Sequence, residues 1–123
     1  LKYMHDNDLY HQLLFYMEAC ESGSMFVDLP STWNIYATTA SNGHLSSWAA
    51  YCSPNDVVKG KAIGSCLGDL YSINWMEDTD KVHAAGSDET ISKQFDLVKE
   101  KTTRSPVQEF GDKTIKTQSI FNF

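Results

Sequence analysis

Cys20 is the side chain in this sequence that is best suited to covalent chemistry. It follows the apolar run Leu13–Met17 and precedes a polar segment, Glu21–Ser24. A cysteine becomes a strong nucleophile when a neighbouring imidazole or a helix N-terminus lowers its pKa, because the thiolate is the reactive form. A free cysteine after an apolar run is also commonly an inert packing residue. Both interpretations of Cys20 stay open on these residues alone.

The other two cysteines, Cys52 and Cys66, lie within Ser41–Leu67, a segment rich in Gly, Ser, Pro and Asn that we predict to be a long functional loop. A disulfide between them would close a ring of about 15 residues and contribute about 3 kcal/mol. Cys20 would then be the odd thiol of a protein in an oxidising compartment, and a candidate reactive group. Three reduced thiols in a cytosolic protein fit the composition equally well.

Two predicted strands position these residues. Leu13–Met17 is a short unbroken apolar run and is predicted to be a strand buried on both faces, as in parallel sheets. Asn34–Ala40 is β-branched and aromatic and also ends at turn residues. Because ligands of open α/β sheets bind beyond the carboxyl ends of the strands, the residues after Met17 and after Ala40 are the first candidates for a site.

Helices alternate with these strands. We predict a helix over Leu1–Gln12, a helix of about three turns from Gly68, and a third helix that begins at Ser87 with acids in its first turn and is stopped by Pro106. The end of the chain, Ser119–Phe123, is predicted to be an edge strand. This order indicates an α/β layer architecture with a mainly parallel sheet.

Composition narrows the class of protein. The chain has 123 residues, of which 41% are hydrophobic, and this composition is typical of a globular protein. We therefore predict a single domain that covers residues 1–123. Its net charge of −6 gives no general attraction to phosphate, so we expect no nucleic-acid partner. No apolar run approaches the roughly 20 residues of a membrane helix, so we expect no membrane partner and a soluble chain.

Four segments make the interpretation specific, because they occur in the same order in one peptidase family. The segment around the thiol reads FYMEACESGSMF, and the others are Asn34–Ala40, Ser46–Trp48 and Cys66–Asp78. They resemble legumain, the family of asparaginyl endopeptidases or vacuolar processing enzymes, nearly from end to end. The two cysteines around the loop are similar to the plant-type branch.

The resemblance implies an α/β, caspase-like three-layer sandwich with a mainly parallel sheet, of which this chain is the carboxy-terminal half of the catalytic domain. Cys20 matches the nucleophile of an endopeptidase that cleaves after Asn, and after Asp at acid pH, through a thioester acyl-enzyme. Backbone amides near Cys20 are expected to hold the oxyanion. We expect no cofactor and no metal.

The resemblance also implies a specificity pocket at Glu18, Ser47 and Asp69. A carboxamide presents an NH₂ donor and a carbonyl acceptor, which these side chains can pair. Without the family, we would interpret Glu18 as a solvated acid, Ser47 as a turn residue and Asp69 as a helix cap. The resemblance implies that the Ser46–Trp48 segment holds the substrate backbone. Ala49, which follows Trp48, leaves open whether water or a peptide amine captures the acyl-enzyme, that is, hydrolysis or ligation.

Caspase-type enzymes place the catalytic His about 50 residues before the Cys, and 19 residues precede Cys20 here. We therefore expect a fragment of a larger domain, inactive in isolation, whose four histidines have surface or packing roles. A catalytically inactive pseudoenzyme or binding module on the same scaffold is the alternative. A generic disulfide-stapled secreted module would leave the ordered motifs unexplained.

The family further implies a zymogen that reaches a vacuole or lysosome through the secretory pathway. Its expected partners are protein or peptide substrates that contain Asn, and protein inhibitors of the cystatin type.

Overall fold

A three-stranded sheet forms the centre of the structure, a computed structural model that describes residues 1–123. Strand β1 (Leu13–Met17) runs parallel to β2 (Ile35–Thr39). The third strand, β7 (Gln108–Gly111), pairs with β2 in the antiparallel direction, which gives the order β1-β2-β7. The predicted strands β1 and β2 are therefore confirmed, and one of the two strand pairings in this sheet is parallel.

Burial differs between these strands. Every residue of β2 is buried because the strand has a partner on each side, whereas every residue of β1 is only half-buried. The prediction that Leu13–Met17 is buried on both faces is wrong for this chain, since β1 is an edge strand here.

Two helices cover one face of the sheet: α2 (Leu70–Ala84) and α3 (Ile91–Lys101). One core cluster under them contains Tyr71, Phe95 and Val98, and a second contains Tyr36, Ile91, Ile115 and Ile120. The opposite face is covered by a 3₁₀ turn, Ser22–Phe26, whose terminal phenylalanine packs on rings of β1 and β7. Alternating side chains of the sheet thus face two different layers.

The helix boundaries differ from the predicted ones. Helix α1 covers Lys2–Asp6 rather than Leu1–Gln12, because Asp8 adopts a left-handed conformation (φ 51°) that a helix cannot contain. Helix α2 has 15 residues, about one turn more than predicted.

Helix α3 begins later and ends earlier than its sequence signals suggest. Its N-cap is Thr90, whose hydroxyl accepts from the backbone N–H of Lys93, and not Ser87. The helix ends at Lys101, before Pro106 is reached. The hydroxyl of Thr102 donates to Val98 O, which satisfies a carbonyl of the last turn.

The predicted edge strand at the end of the chain is wrong. Residues Ile120–Asn122 form a 3₁₀ turn, after another at Lys113–Thr117. Ser119 makes a single bridge to Thr90, and the third strand of the sheet lies earlier, at β7. The apolar side chain of Ile120 is used in the core under the helices.

The predicted loop Ser41–Leu67 contains three two-residue strands: β3 (Ala49–Ala50), β4 (Val57–Val58) and β5 (Lys61–Ala62). Strands β4 and β5 form a hairpin, and β3 pairs with β6 (Gly68–Asp69) just before α2. A disulfide between Cys52 and Cys66 closes this segment, which is one of the two alternatives that the sequence leaves open. None of the helices has the length and apolar character needed to cross a bilayer.

Candidate functional site

Cys20 lies three residues beyond β1, exposed at the carboxyl edge of the sheet. The chain turns sharply after it, because Glu21 is left-handed (φ 55°) and a 3₁₀ turn begins at Ser22. Backbone bonds fix this turn to the segment that follows β2: Glu21 N–H donates to Leu45 O (2.8 Å) and Gly23 N–H donates to Ser41 O (3.1 Å). The ends of the two parallel strands are thereby held together, as the sequence predicts.

Gly23 permits this close approach. A Cβ at this position would lie 2.9 Å from the backbone carbon of Asn42, a distance that real Cβ atoms do not show. A larger residue would push the cysteine segment away from the segment after β2.

The Cys20 thiol faces Ser47. Its Sγ lies 3.8 Å from both the carbonyl oxygen and the hydroxyl of Ser47. Hydrogen bonds from the backbone and hydroxyl of Ser47, and from the hydroxyl of Ser46, lower the pKa of the Cys20 thiol below its ordinary value.

The backbone N–H of Cys20 makes no hydrogen bond within the chain. An N–H beside a nucleophilic sulfur is positioned to donate to an oxyanion that forms on the attacked carbonyl. The site thus contains a thiol with a lowered pKa and, next to it, a backbone N–H that donates to no other residue.

Glu18 lies two residues before the thiol and is half-buried. Its Oε2 accepts from the backbone N–H of Ser72 in the first turn of α2 (2.8 Å), where a carboxylate is favoured by the helix dipole. Its Oε1 is buried with no hydrogen-bond partner. Burial raises the pKa of Glu18, and the charge of Asp69 adds to the rise, while the bonds from Ser72 and the Ser47 hydroxyl oppose it.

Asp69 is exposed at the N-cap of α2, yet its side chain caps nothing. It pairs with Ala49 in the β3–β6 ladder, and the next residue, Leu70, donates its N–H to Trp48 O (2.9 Å). These bonds hold Asp69 beside the Ser46–Trp48 segment. The interpretation of Asp69 as a structural helix cap is therefore not supported.

The structure brings the predicted site residues into one neighbourhood. Ser47 contacts the thiol, and both Ser47 and Asp69 act on the charge of Glu18. Trp48 is partly exposed next to them. An unpartnered acceptor, a hydroxyl and a second carboxyl near a thiol are the donors and acceptors that a small polar group next to a nucleophile requires.

The histidines do not complete this arrangement within the chain. None of the four imidazoles hydrogen-bonds to Cys20, and His5 stacks on Trp33 with ring centroids 4.9 Å apart. No cluster of His, Cys, Asp and Glu is arranged to hold a metal ion.

Two contributors to the site were not foreseen. Ser72 contributes through its backbone N–H, which no residue-type pattern reveals, although its place in the first turn of a predicted helix could have suggested a donor. Arg104 lies over the Trp48 ring, with its guanidinium carbon 4.2 Å from the ring centroid. No spacing rule in the sequence connects these two positions.

The whole chain is similar to one family of peptidases. The model of the peptidase C13 family matches residues 1–123. Legumain of Mus musculus is 43% identical over 123 residues, which cover 100% of this chain and 26% of that protein. A vacuolar-processing enzyme of Vicia sativa is 44% identical over 128 aligned residues, with the same coverage of 100% and 26%. The chain thus spans about a quarter of the length of the curated relatives it matches.

Proposed function

The chain belongs to the peptidase C13 family, and on that premise we propose that it supplies the nucleophile and the specificity pocket of a cysteine endopeptidase that cleaves after Asn. The observation that carries the proposal is the pairing of two features. The Cys20 thiol, with a lowered pKa, faces Ser47, and Glu18, which Ser47 also contacts, holds a buried oxygen without a partner. The protein would have the caspase-like fold of its family, with this chain as part of the catalytic domain.

The pocket chemistry favours a carboxamide. The free oxygen of Glu18 and the carboxyl of Asp69 accept from the NH₂ of an Asn side chain, and the Ser47 hydroxyl pairs with either end of the amide. A buried oxygen without a partner costs about 1–3 kcal/mol, so a ligand that donates to it is favoured over one that does not. An Asp substrate binds in the same place when acid conditions protonate its carboxyl.

In the reaction, the Cys20 thiolate attacks the main-chain carbonyl carbon of the substrate Asn residue. The unpaired N–H of Cys20 donates to the oxygen as it gains charge. The amine leaves with a proton and a thioester forms; water then releases the acid, or a second peptide amine takes the acyl group and a new peptide bond forms. The imidazole that moves these protons would come from polypeptide outside residues 1–123.

The cellular setting belongs to the same proposal. The disulfide between Cys52 and Cys66 suits an oxidising compartment, and one relative carries the word vacuolar in its name. We place the protein in a vacuole or lysosome, reached by the secretory pathway, with protein substrates that contain Asn and with protein inhibitors of the cystatin type.

The test uses the complete reading frame that contains this chain and an Asn fluorogenic peptide near acid pH. We expect cleavage after Asn by the parent protein, none by Cys20→Ala, and a loss of preference for Asn over other residues in Asp69→Asn with little change in stability. Retained cleavage in a folded Cys20→Ala protein overturns the nucleophile. Binding of the peptide without turnover by the parent protein indicates a pseudoenzyme on the same scaffold.

A further inference from the structure

Arg104 occupies the connection between α3 and β7, next to the candidate site. Its guanidinium lies over the ring of Trp48, the residue that follows Ser47. Arg104 takes part in none of the ion pairs and donates none of the side-chain hydrogen bonds of the chain. A guanidinium held by a ring face keeps its N–H donors, which lie in its own plane, free for another ligand.

The backbone that carries Arg104 is fixed. The next residue, Ser105, donates its hydroxyl to Ala40 O (2.5 Å), at the end of β2. Val107 and Thr102 on either side are buried. Arg104 therefore projects from the same rigid edge of the sheet that holds Cys20, and the Trp48 ring further restricts its side chain.

Charges of opposite sign lie near different residues of the Ser46–Trp48 segment. The carboxyls of Glu18 and Asp69 interact beside Ser47, where they repel an acidic group. The guanidinium of Arg104 lies over the ring of Trp48. A guanidinium with free in-plane donors matches a carboxylate in charge and geometry.

We propose that Arg104, stacked on Trp48, forms a subsite that binds an acidic side chain of the peptide substrate within the two or three residues before the cleaved Asn. This inference rests on the proposed function, because it takes the substrate backbone to follow Ser46–Trp48 in extended form. Successive residues of an extended peptide are about 3.3 Å apart. The two or three residues before the cleaved Asn would therefore extend across the Trp48 ring and the guanidinium that lies over it.

The test compares peptides that carry Glu or Gln at each of those positions, with the complete protein as the enzyme. We expect kcat/KM for a Glu peptide to exceed that for its Gln partner by about five-fold, the size of an exposed charge-assisted pair, and the ratio to fall towards one in high salt. In Arg104→Gln the ratio should be about one at every salt concentration. Lys101→Gln, which removes an equal charge from an exposed residue without an ion pair, should keep the parent ratio.

Binding of the same peptides to Cys20→Ala protein separates this inference from the proposed function. Cleavage of both peptides at equal rates by the parent protein, or an unchanged ratio in Arg104→Gln, overturns the subsite and leaves the peptidase proposal intact. Absence of any cleavage by the parent protein overturns the peptidase proposal. In that case, tighter binding of the Glu peptide than of the Gln peptide, abolished by Arg104→Gln, supports the subsite independently.

Discussion

Replacing Glu18 with Gln should stabilise the protein and weaken its activity on Asn substrates. Oε2 of Glu18 accepts from Ser72 N–H, and a Gln oxygen can accept that bond in the same way. Oε1 is buried without a partner, so Gln exchanges a buried unpaired charge for a neutral amide. Relief of that penalty is expected to add about 1 kcal/mol to the free energy of unfolding at neutral pH.

The stability difference between Glu18→Gln and the parent should depend on pH. Burial raises the pKa of Glu18 in the folded state above its ordinary value of 4.5. The folded state therefore binds this proton more tightly than the unfolded state, and the parent loses stability as pH rises from below 4.5 through the raised value. Gln does not titrate, so the variant should match the parent below about pH 4 and exceed it at pH 7.

Activity should change in the opposite direction. The Gln NH₂ faces the NH₂ of the substrate, and two donors without an acceptor cost about 1–3 kcal/mol, or roughly 5- to 150-fold in kcat/KM on Asn peptides. Urea unfolding at pH 4 and pH 7, together with peptide kinetics on the complete protein, measures both effects. Glu21→Gln is the matched control, since Glu21 is an exposed acid in the same segment. Full activity in Glu18→Gln, or a loss of stability at both pH values, refutes the reasoning.

Three other predictions concern different parts of the chain. Replacing both Cys52 and Cys66 with Ala should lower the free energy of unfolding by about 3 kcal/mol, measured from urea midpoints, with no further effect of a reducing agent. Gly111→Ala should destabilise by at least about 3 kcal/mol in the same assay, because φ is +81° and a Cβ would lie 2.2 Å from a backbone oxygen of β2; a cost below 1 kcal/mol would contradict the contact. Alkylation of Cys20 by iodoacetamide should follow a pKa below the ordinary thiol value, and Ser47→Ala, which removes the hydroxyl and keeps the backbone, should move that pKa part of the way upwards; identical profiles would exclude the hydrogen bond from the Ser47 hydroxyl.

Those parts of the fold that depend on continuous apolar runs were predictable from the sequence. Leu13–Met17 and Ile35–Thr39 form strands because β-branched, aromatic and aliphatic side chains pack well on a pleated sheet. The position of Cys20 at the carboxyl end of the first strand followed directly, since parallel strands end at one edge.

Choices between equivalent local signals were not predictable. Ser87 and Thr90 can both cap a helix, and the bridge between Thr90 and Ser119 selects the second. The apolar end of the chain is suited to a strand by composition, but the core below the helices takes Ile120 from a 3₁₀ turn instead. In both cases a contact between distant parts of the chain decides the outcome.

The site residues Glu18, Cys20, Ser47 and Asp69 were identified through family resemblance rather than from local pattern, because each has an ordinary structural interpretation by itself. Their convergence depends on bonds between distant backbone groups that no spacing rule encodes. The same holds for Arg104 on Trp48, which only the folded chain reveals.

The measurement that tests the central claim most directly is covalent labelling of the complete protein with a peptidyl chloromethyl ketone that carries Asn next to the reactive group. Intact mass and peptide mapping locate the adduct, and an otherwise identical reagent with Leu in place of Asn is the control. The account predicts one peptide adduct, on Cys20, formed at least about 100-fold faster with Asn than with Leu. An adduct on any other residue, or equal labelling by both reagents, would contradict it.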